Sequence, residues 1–249
     1  MPKIPVVFVP GLTADARLWE PVLEELSDVV DPLVAPTQGD TIAAMADEVF
    51  AIAPERFYIA GTSMGGYVAL DVALRGDARV AGLVLANTSA RAANPAQQER
   101  GNGLIAEAEA GDFAGVVEKL AKAVAGGKEH VEELAARMAR EAGAEAFLRQ
   151  QRAVVARRDR REELSGITIP TLVVAGDDDK ITPPSLNNEI ARLIPAAELQ
   201  IVPGSGHLTT VDATGELSAI IRTWLLAQES GQETHRGSTQ APLTATAGV

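Results

Sequence analysis

The stretch YIAGTSMGGYVALDVAL, residues 58–74, joins an apolar run of strand length to an apolar run of helical length through Gly-Thr-Ser-Met-Gly. Glycines at 61 and 65 flank Ser63 with the spacing G-x-S-x-G. The demand behind this spacing is steric. A sharp turn from strand to helix strains the serine backbone, and a glycine two residues away on each side lets strand and helix pass closely. The side chain is left over the sheet edge, and the N-terminal N–H groups of the helix aim at any oxygen that approaches it. Ser63 is thus a nucleophile or only the polar end of a tight turn. The bare pattern recurs by chance, so its context has to choose.

Working outward, strand-length runs of Val, Ile and Leu recur at residues 4–10, 29–36, 56–61, 80–86, 169–176 and 198–204. Helical patterns follow several of them, at residues 18–27, 42–53, 64–74 and 214–228. Continuous apolar runs are expected of strands buried on both faces, and their alternation with helices implies a parallel sheet. The fold class expected is therefore α/β, a doubly wound and mainly parallel sheet of about six strands. Reactive groups should then lie beyond the carboxyl ends of the strands. Residues 87–167 carry no strand signal and read as four or five short helices punctuated by glycine. The division expected is a core of residues 1–88 and 166–228, a helical lid of residues 89–165, and a disordered tail at 229–249. The alternative for the middle segment is a helical subdomain with no part in the site.

Composition excludes several classes of function. The 34 acidic residues outnumber 22 basic ones, giving a formal charge of −12, which offers no basic patch for nucleic acid and no footing on an anionic membrane. No cysteine is present, so disulfides, thiolate metal sites and cysteine nucleophiles are excluded. The apolar run near residue 4 is interrupted by Pro5, Pro10 and Gly11 and reads as a first strand, not a signal peptide. No apolar segment approaches the roughly 18 residues of a membrane span. A soluble cytoplasmic protein is expected, with no metal or organic cofactor and with a small molecule as its partner.

A serine hydroxyl needs a base. Of three histidines, His130 lies in the charged helical pattern KEHVEELAARM and His235 in the polar tail. His207, in VPGSGHLTTVD, follows the last strand on a glycine-flanked loop at the edge expected to carry Ser63. A carboxylate must in turn hold the imidazole. The run GDDDKITPPS after the fifth strand offers Asp177, Asp178 and Asp179, and spacing leaves the three open. Clustered carboxylates repel, so at least one has another role. For the developing oxyanion, the N–H groups of Leu12, in VPGLTADARLW, and of Met64 are the expected donors.

In the order Ser…Asp…His, each after a parallel strand, the chain resembles the α/β-hydrolases over residues 4–228. The resemblance implies that the acid stands third after the strand-ending glycine, as G-x-x-D with a proline soon after. Gly176 and Pro183 then point to Asp179, with Asp177 next. The stretches VPGLTADARLWEPV, AGTSMGGYVAL and IPTLVVAGDDDKITPP are similar to a branch near the enol-lactone hydrolases and carboxylesterases. Two departures stand out. Pro10-Gly11 replaces a His-Gly whose imidazole orders the oxyanion loop in many relatives, and the leading antiparallel hairpin is absent. A serine at position 63 sets the chain apart from relatives that attack with aspartate. Asn87 occupies the place where some relatives carry their acid, which leaves the aspartate loop to supply it.

The function expected is hydrolysis of a small carboxylic ester or lactone. Perhydrolysis or C–C cleavage by the same triad is a second reading, and a non-catalytic small-molecule receptor a third. Leu12, Met64, Leu208 and Trp19 are the expected pocket neighbours. Arg157, Arg158 and Arg160 read as a solvated charge run, the alternative being contact with a substrate carboxylate.

Overall fold

The computed structural model describes residues 2–195 and 197–238. Six strands, β1 (Ile4–Val9), β2 (Val30–Val34), β3 (Phe57–Thr62), β4 (Val80–Ala86), β5 (Thr171–Gly176) and β6 (Ala197–Val202), form one sheet in the order β2-β1-β3-β4-β5-β6. Every pairing is parallel. The order reverses between β1 and β3, so the loops leaving these two strands diverge to opposite faces and open a crevice at their carboxyl ends.

Helices α1 (Glu20–Glu25), α2 (Ile42–Ile52) and α3 (Met64–Leu74) lie in the first half of the chain. Between β4 and β5 come α4 (Pro95–Glu109), α5 (Phe113–Ala125) and α6 (Glu129–Val155), and then a 3-10 segment, Arg161–Gly166. The second half closes with α7 (Pro184–Leu193), α8 (Thr209–Asp212) and α9 (Thr214–Ser238). Side-chain alternation along β1 divides the core. Val7 and Val9 pack with Met45 and Val49 of α2, Val68 and Leu70 of α3 and Ile190 of α7. Val6 and Phe8 face the other way, onto Trp19, Val22 of α1, and Leu217, Ile221 and Trp224 of α9.

Two expectations are corrected here. Burial on both faces holds for the central strands, since β3 and β5 are buried throughout. The outermost strands are different: Leu33 of β2 is 38 % and Ile201 of β6 41 % exposed, because an edge strand is covered less completely than a central one. Pro32 fits that edge, where a missing N–H costs no ladder bond. The stretch assigned to a disordered tail is, over residues 229–238, a continuation of α9. Glu229 is tied there to β3, accepting from Arg56 Nη2 at 2.6 Å and from the Tyr58 hydroxyl at 2.7 Å. Residues 239–249 of the expected tail lie outside the described residues. No helix among the described residues is long and apolar enough to cross a membrane.

The middle segment contains three helices, the longest broken at Gly143, whose φ of 83° and ψ of 167° leave the helical region. Its α5 buries Val116 and Val117, and α6 buries Met138 and Phe147, so the insertion has apolar contacts of its own.

Candidate active site

Ser63 follows β3 directly and precedes α3, with φ 53° and ψ −116°. That conformation is unfavourable for a residue with a Cβ and is held by the surroundings. A Cβ on Gly61 would collide with the Gly65 carbonyl, and one on Gly65 with the Val9 carbonyl. Both glycines are needed because strand, helix and β1 pass too closely for a side chain. The Ser63 N–H donates to Ala86 O at 3.1 Å, and Thr88 Oγ1 donates to Ser63 O at 2.8 Å. Although Ser63 occupies the N-cap position of α3, its hydroxyl makes no cap bond. It lies 2.9 Å from His207 Nε2 instead.

His207 is 3 % exposed and sits between β6 and α8. Its Nδ1 lies 2.9 Å from Asp179 Oδ2. That oxygen also accepts from Asn87 Nδ2 at 2.9 Å and Thr182 Oγ1 at 2.7 Å, while Oδ1 accepts from the N–H groups of Ile181 and Thr182. An ionised carboxylate can only accept, so Nδ1 carries the proton and Nε2 is left to accept from Ser63. Burial by itself would raise the pKa of Asp179. The hydrogen bond from His207, the charge of that ring whenever it is protonated, the Asn87 amide and the Thr182 N–H outweigh it and hold the carboxyl well below the usual range.

The other two aspartates of the loop face elsewhere. Asp177 accepts from the Gly204 N–H at 2.7 Å, clamping the turn before His207, and Asp178 pairs with Lys180 at 2.5 Å. Of the remaining histidines, His130 is exposed on α6, and the side chain of His235 lies outside the described residues.

Leu12 and Met64 both line the cavity at Ser63. Met64 is the first residue of α3, where no intrahelical acceptor exists for its N–H. Thr13, next to Leu12, has φ 55°. Its N–H donates to Gln150 Oε1 at 2.7 Å, and Gln150 Nε2 donates to Thr37 O at 3.0 Å. A buried glutamine from α6 therefore ties down the loop that carries Leu12.

The cavity has a volume of about 770 Å³ and is bounded by Gly11, Ser63 and His207 below and by side chains of α4, α5 and α6 such as Leu104, Val124 and Met138. Leu208 is part of this wall. Trp19 is not. Its ring is fully buried 5.0 Å from that of Phe8, and its N–H donates to Val9 O at 3.3 Å, whereas the preceding Leu18 takes the place on the wall. Neighbouring residues in a tight helical turn point in different directions, and the sequence does not say which one faces in.

Three polar residues at the site carried no role in the sequence reading. Asn87 is fully buried with φ 48°; it donates to Asp179 and to Gly206 O at 3.1 Å and accepts from Thr209 Oγ1 at 2.6 Å. It thereby joins the acid loop to the histidine loop. Its position at the end of β4 was a usable signal. Thr182 lies inside the aspartate loop and was also within reach, but Gln150, in the middle of a long helix, left no trace in the local pattern.

Residues 6–220 match the model of the Alpha/beta hydrolase family. A candidate carbamate hydrolase, RutD, of Agrobacterium fabrum is 29 % identical over 233 residues, covering 83 % of this chain and 87 % of that one. The pimeloyl-[acyl-carrier protein] methyl ester esterase of Nitrosomonas europaea is 26 % identical over 221 residues, covering 81 % and 88 %. Among solved structures, a thermophilic esterase from Thermogutta terrifontis superposes with a TM-score of 0.81 at 27 % identity, over 90 % of each chain.

Proposed function

Because this chain belongs to the alpha/beta hydrolase family, we propose that it is a serine hydrolase cleaving a small carboxylic ester or lactone by way of an acyl-enzyme. One observation carries the reading: an unbroken line of hydrogen bonds, 2.9 Å from Ser63 Oγ to His207 and 2.9 Å from His207 to Asp179, at the wall of a largely apolar cavity.

In this reading Ser63 Oγ attacks the substrate carbonyl while His207 Nε2 takes its proton. Asp179, ionised through the neutral range, stabilises the imidazolium. The N–H groups of Leu12 and Met64 receive the oxyanion, which is worth about 3–4 kcal/mol for one such donor in comparable sites. His207 then returns the proton to the leaving alkoxide, and the acyl group remains on Ser63. A water molecule, deprotonated by His207, attacks the acyl carbon and frees the serine. A carbamate presents the same kind of carbonyl to the same groups, and the name of the RutD relative places carbamates beside esters and lactones in the substrate panel.

Intact mass after fluorophosphonate treatment, read alongside turnover of p-nitrophenyl butyrate, tests the proposal. Wild type should gain one adduct and turn over the ester, and Ser63→Ala and His207→Ala should do neither while remaining folded. Full turnover by folded Ser63→Ala would sink the assignment.

A further inference from the structure

The chain carries a formal charge of −12, yet the wall of its cavity has the opposite sign. Of the five charged side chains that line it among the described residues, Arg100, Lys119, Arg157 and Lys180 are cationic and only Glu107 is acidic. Two of the cations are neutralised, Lys119 by Glu107 at 2.5 Å and Lys180 by Asp178 at 2.5 Å. Arg100 is exposed at the rim. Arg157 is different: it is half-buried, immobilised, and its charge is not paired.

The Arg157 guanidinium donates from Nε to Arg91 O at 3.0 Å, from Nη1 to Val154 O at 2.7 Å and from Nη2 to Gln97 Oε1 at 3.3 Å. All three acceptors are neutral carbonyl oxygens, and no acid among the described residues lies within ion-pair distance. Its carbon stands 4.7 Å from the centroid of the Tyr67 ring. Three of five N–H groups are thus engaged and two are left. The first three fix the plane of the fork, which lowers the entropy lost when the other two meet a partner. Of the run Arg157–Arg158–Arg160, only Arg157 turns inward. Arg158 is 3.8 Å from Glu163, and Arg160 bonds Asp71 at 3.1 Å.

We propose that Arg157 forms an anion subsite of this cavity and that the substrate is an ester or lactone bearing a carboxylate remote from the scissile carbonyl. The proposal rests on the hydrolase reading for what happens at Ser63, but not for the binding itself. Tyr67 lies one turn along α3 from Ser63, about 6 Å of rise, and Ser63, Tyr67 and the guanidinium stacked on its ring open on the same cavity, so one ligand can meet both groups. Tyr67, Ala93 and Gln97 line the cavity around the same point. A cation in a low-dielectric wall attracts an anion more strongly than one in open water, and a cleft of one sign concentrates oppositely charged ligands.

Two matched ester pairs test this: mono-p-nitrophenyl glutarate against p-nitrophenyl pentanoate, with the charge on the acyl side, and 4-acetoxybenzoate against 4-methylphenyl acetate, with the charge on the leaving group. Wild type should favour the acidic member of at least one pair. Arg157→Gln keeps donors for the backbone carbonyls but loses the charge; it should raise KM for that acidic ester roughly 10- to 100-fold more than for its neutral match. Arg157→Lys should restore part of the preference. Thermal unfolding of each variant reads the structural ties separately, and loss of those ties alone would not move the acid-to-neutral ratio. Calorimetric titration with glutarate gives a readout independent of turnover, with binding to wild type and at least tenfold weaker binding to Arg157→Gln expected.

Equal losses on acidic and neutral esters, with glutarate binding unaltered, would overturn the subsite and leave the hydrolase intact. Arg157-dependent glutarate binding by a protein that hydrolyses no ester and takes no fluorophosphonate would do the reverse. Absence of glutarate binding together with absence of any acid preference overturns the subsite whatever the turnover.

Discussion

Ser63 holds a backbone conformation that a residue with a side chain avoids, and Asp179 holds a charge that burial opposes. Each persists because its neighbours make the alternative worse. For Asp179 the sign is clear. Its native pKa is depressed, so its interactions contribute full stability above the ordinary value of 3.8 and are lost as pH falls through the native one. Between pH 5 and 8 the carboxylate therefore stays ionised. Asp179→Asn should lower kcat by about 10³–10⁴-fold at pH 7, since an amide offers the wrong partner to Nδ1. A loss below tenfold would place the acid elsewhere. Asn87→Asp sets a second carboxylate where an amide now lies 2.9 Å from Asp179 Oδ2. One of the pair must then have a raised native pKa, so stability is fully retained only below the ordinary value of about 3.8 and is lost as pH rises from there through the raised one. Urea midpoints should fall further behind wild type at pH 8 than at pH 5; the opposite order would contradict the contact.

The insertion of α4–α6 does more than roof the cavity. From α6, Gln150 bridges Thr13 and Thr37, two residues at positive φ in the loops after β1 and β2. This bridge supplies order at the place where many relatives have an imidazole beside Gly11 and this chain has Pro10. Between α5 and α6, Lys128 donates to Gly204 O at 2.7 Å and to Asp212 at 2.9 Å, and Asp212 accepts from the Gly206 N–H beside His207. The insertion thus grips both the loop of the candidate oxyanion donor and the loop of the candidate base. Gln150→Leu, close in size but unable to hydrogen-bond, should cut kcat for p-nitrophenyl butyrate by about tenfold or more while KM changes little, since a misplaced donor weakens transition-state binding more than ground-state binding. The rate of fluorophosphonate labelling should fall in parallel. A rise in KM alone would mean that Gln150 shapes the cavity and leaves the loop untouched.

Across the whole molecule, α9 closes on β3 from far away in sequence. Tyr58 sits edge-on to Trp224 of α9, with ring centroids 5.8 Å apart, and its hydroxyl reaches Glu229 one turn further along. Burial, followed by the hydrogen bond and charge of Glu229, pushes the Tyr58 phenol far above its ordinary pKa. Glu229→Ala leaves that phenol with a weaker partner and should lower stability by about 1 kcal/mol, seen as a shift in urea midpoint with unchanged slope. A variant as stable as wild type would mean that the apolar contacts of Leu217, Ile221, Trp224 and Leu225 and the Arg222–Asp28 pair hold α9 without it.

The parallel α/β core, the serine turn and a lone histidine after the last strand are all legible in the sequence. Each is written in contiguous residues: a buried strand as an apolar run, a sharp turn as its glycines, the candidate base as the one histidine at a strand end. Periodicity and local sterics act over a few residues and can be read there. The tertiary structure alone decided which of three adjacent aspartates meets His207, that Leu18 and not Trp19 faces the cavity, and that Asn87 and Gln150 brace the site from 92 and 137 residues away. It also decided that Arg157 lines the cavity while Arg158 and Arg160 pair with acids away from it. Those choices are made by the direction of a side chain and by the hydrogen bonds a buried group must find, and both are fixed only when distant segments have packed against one another.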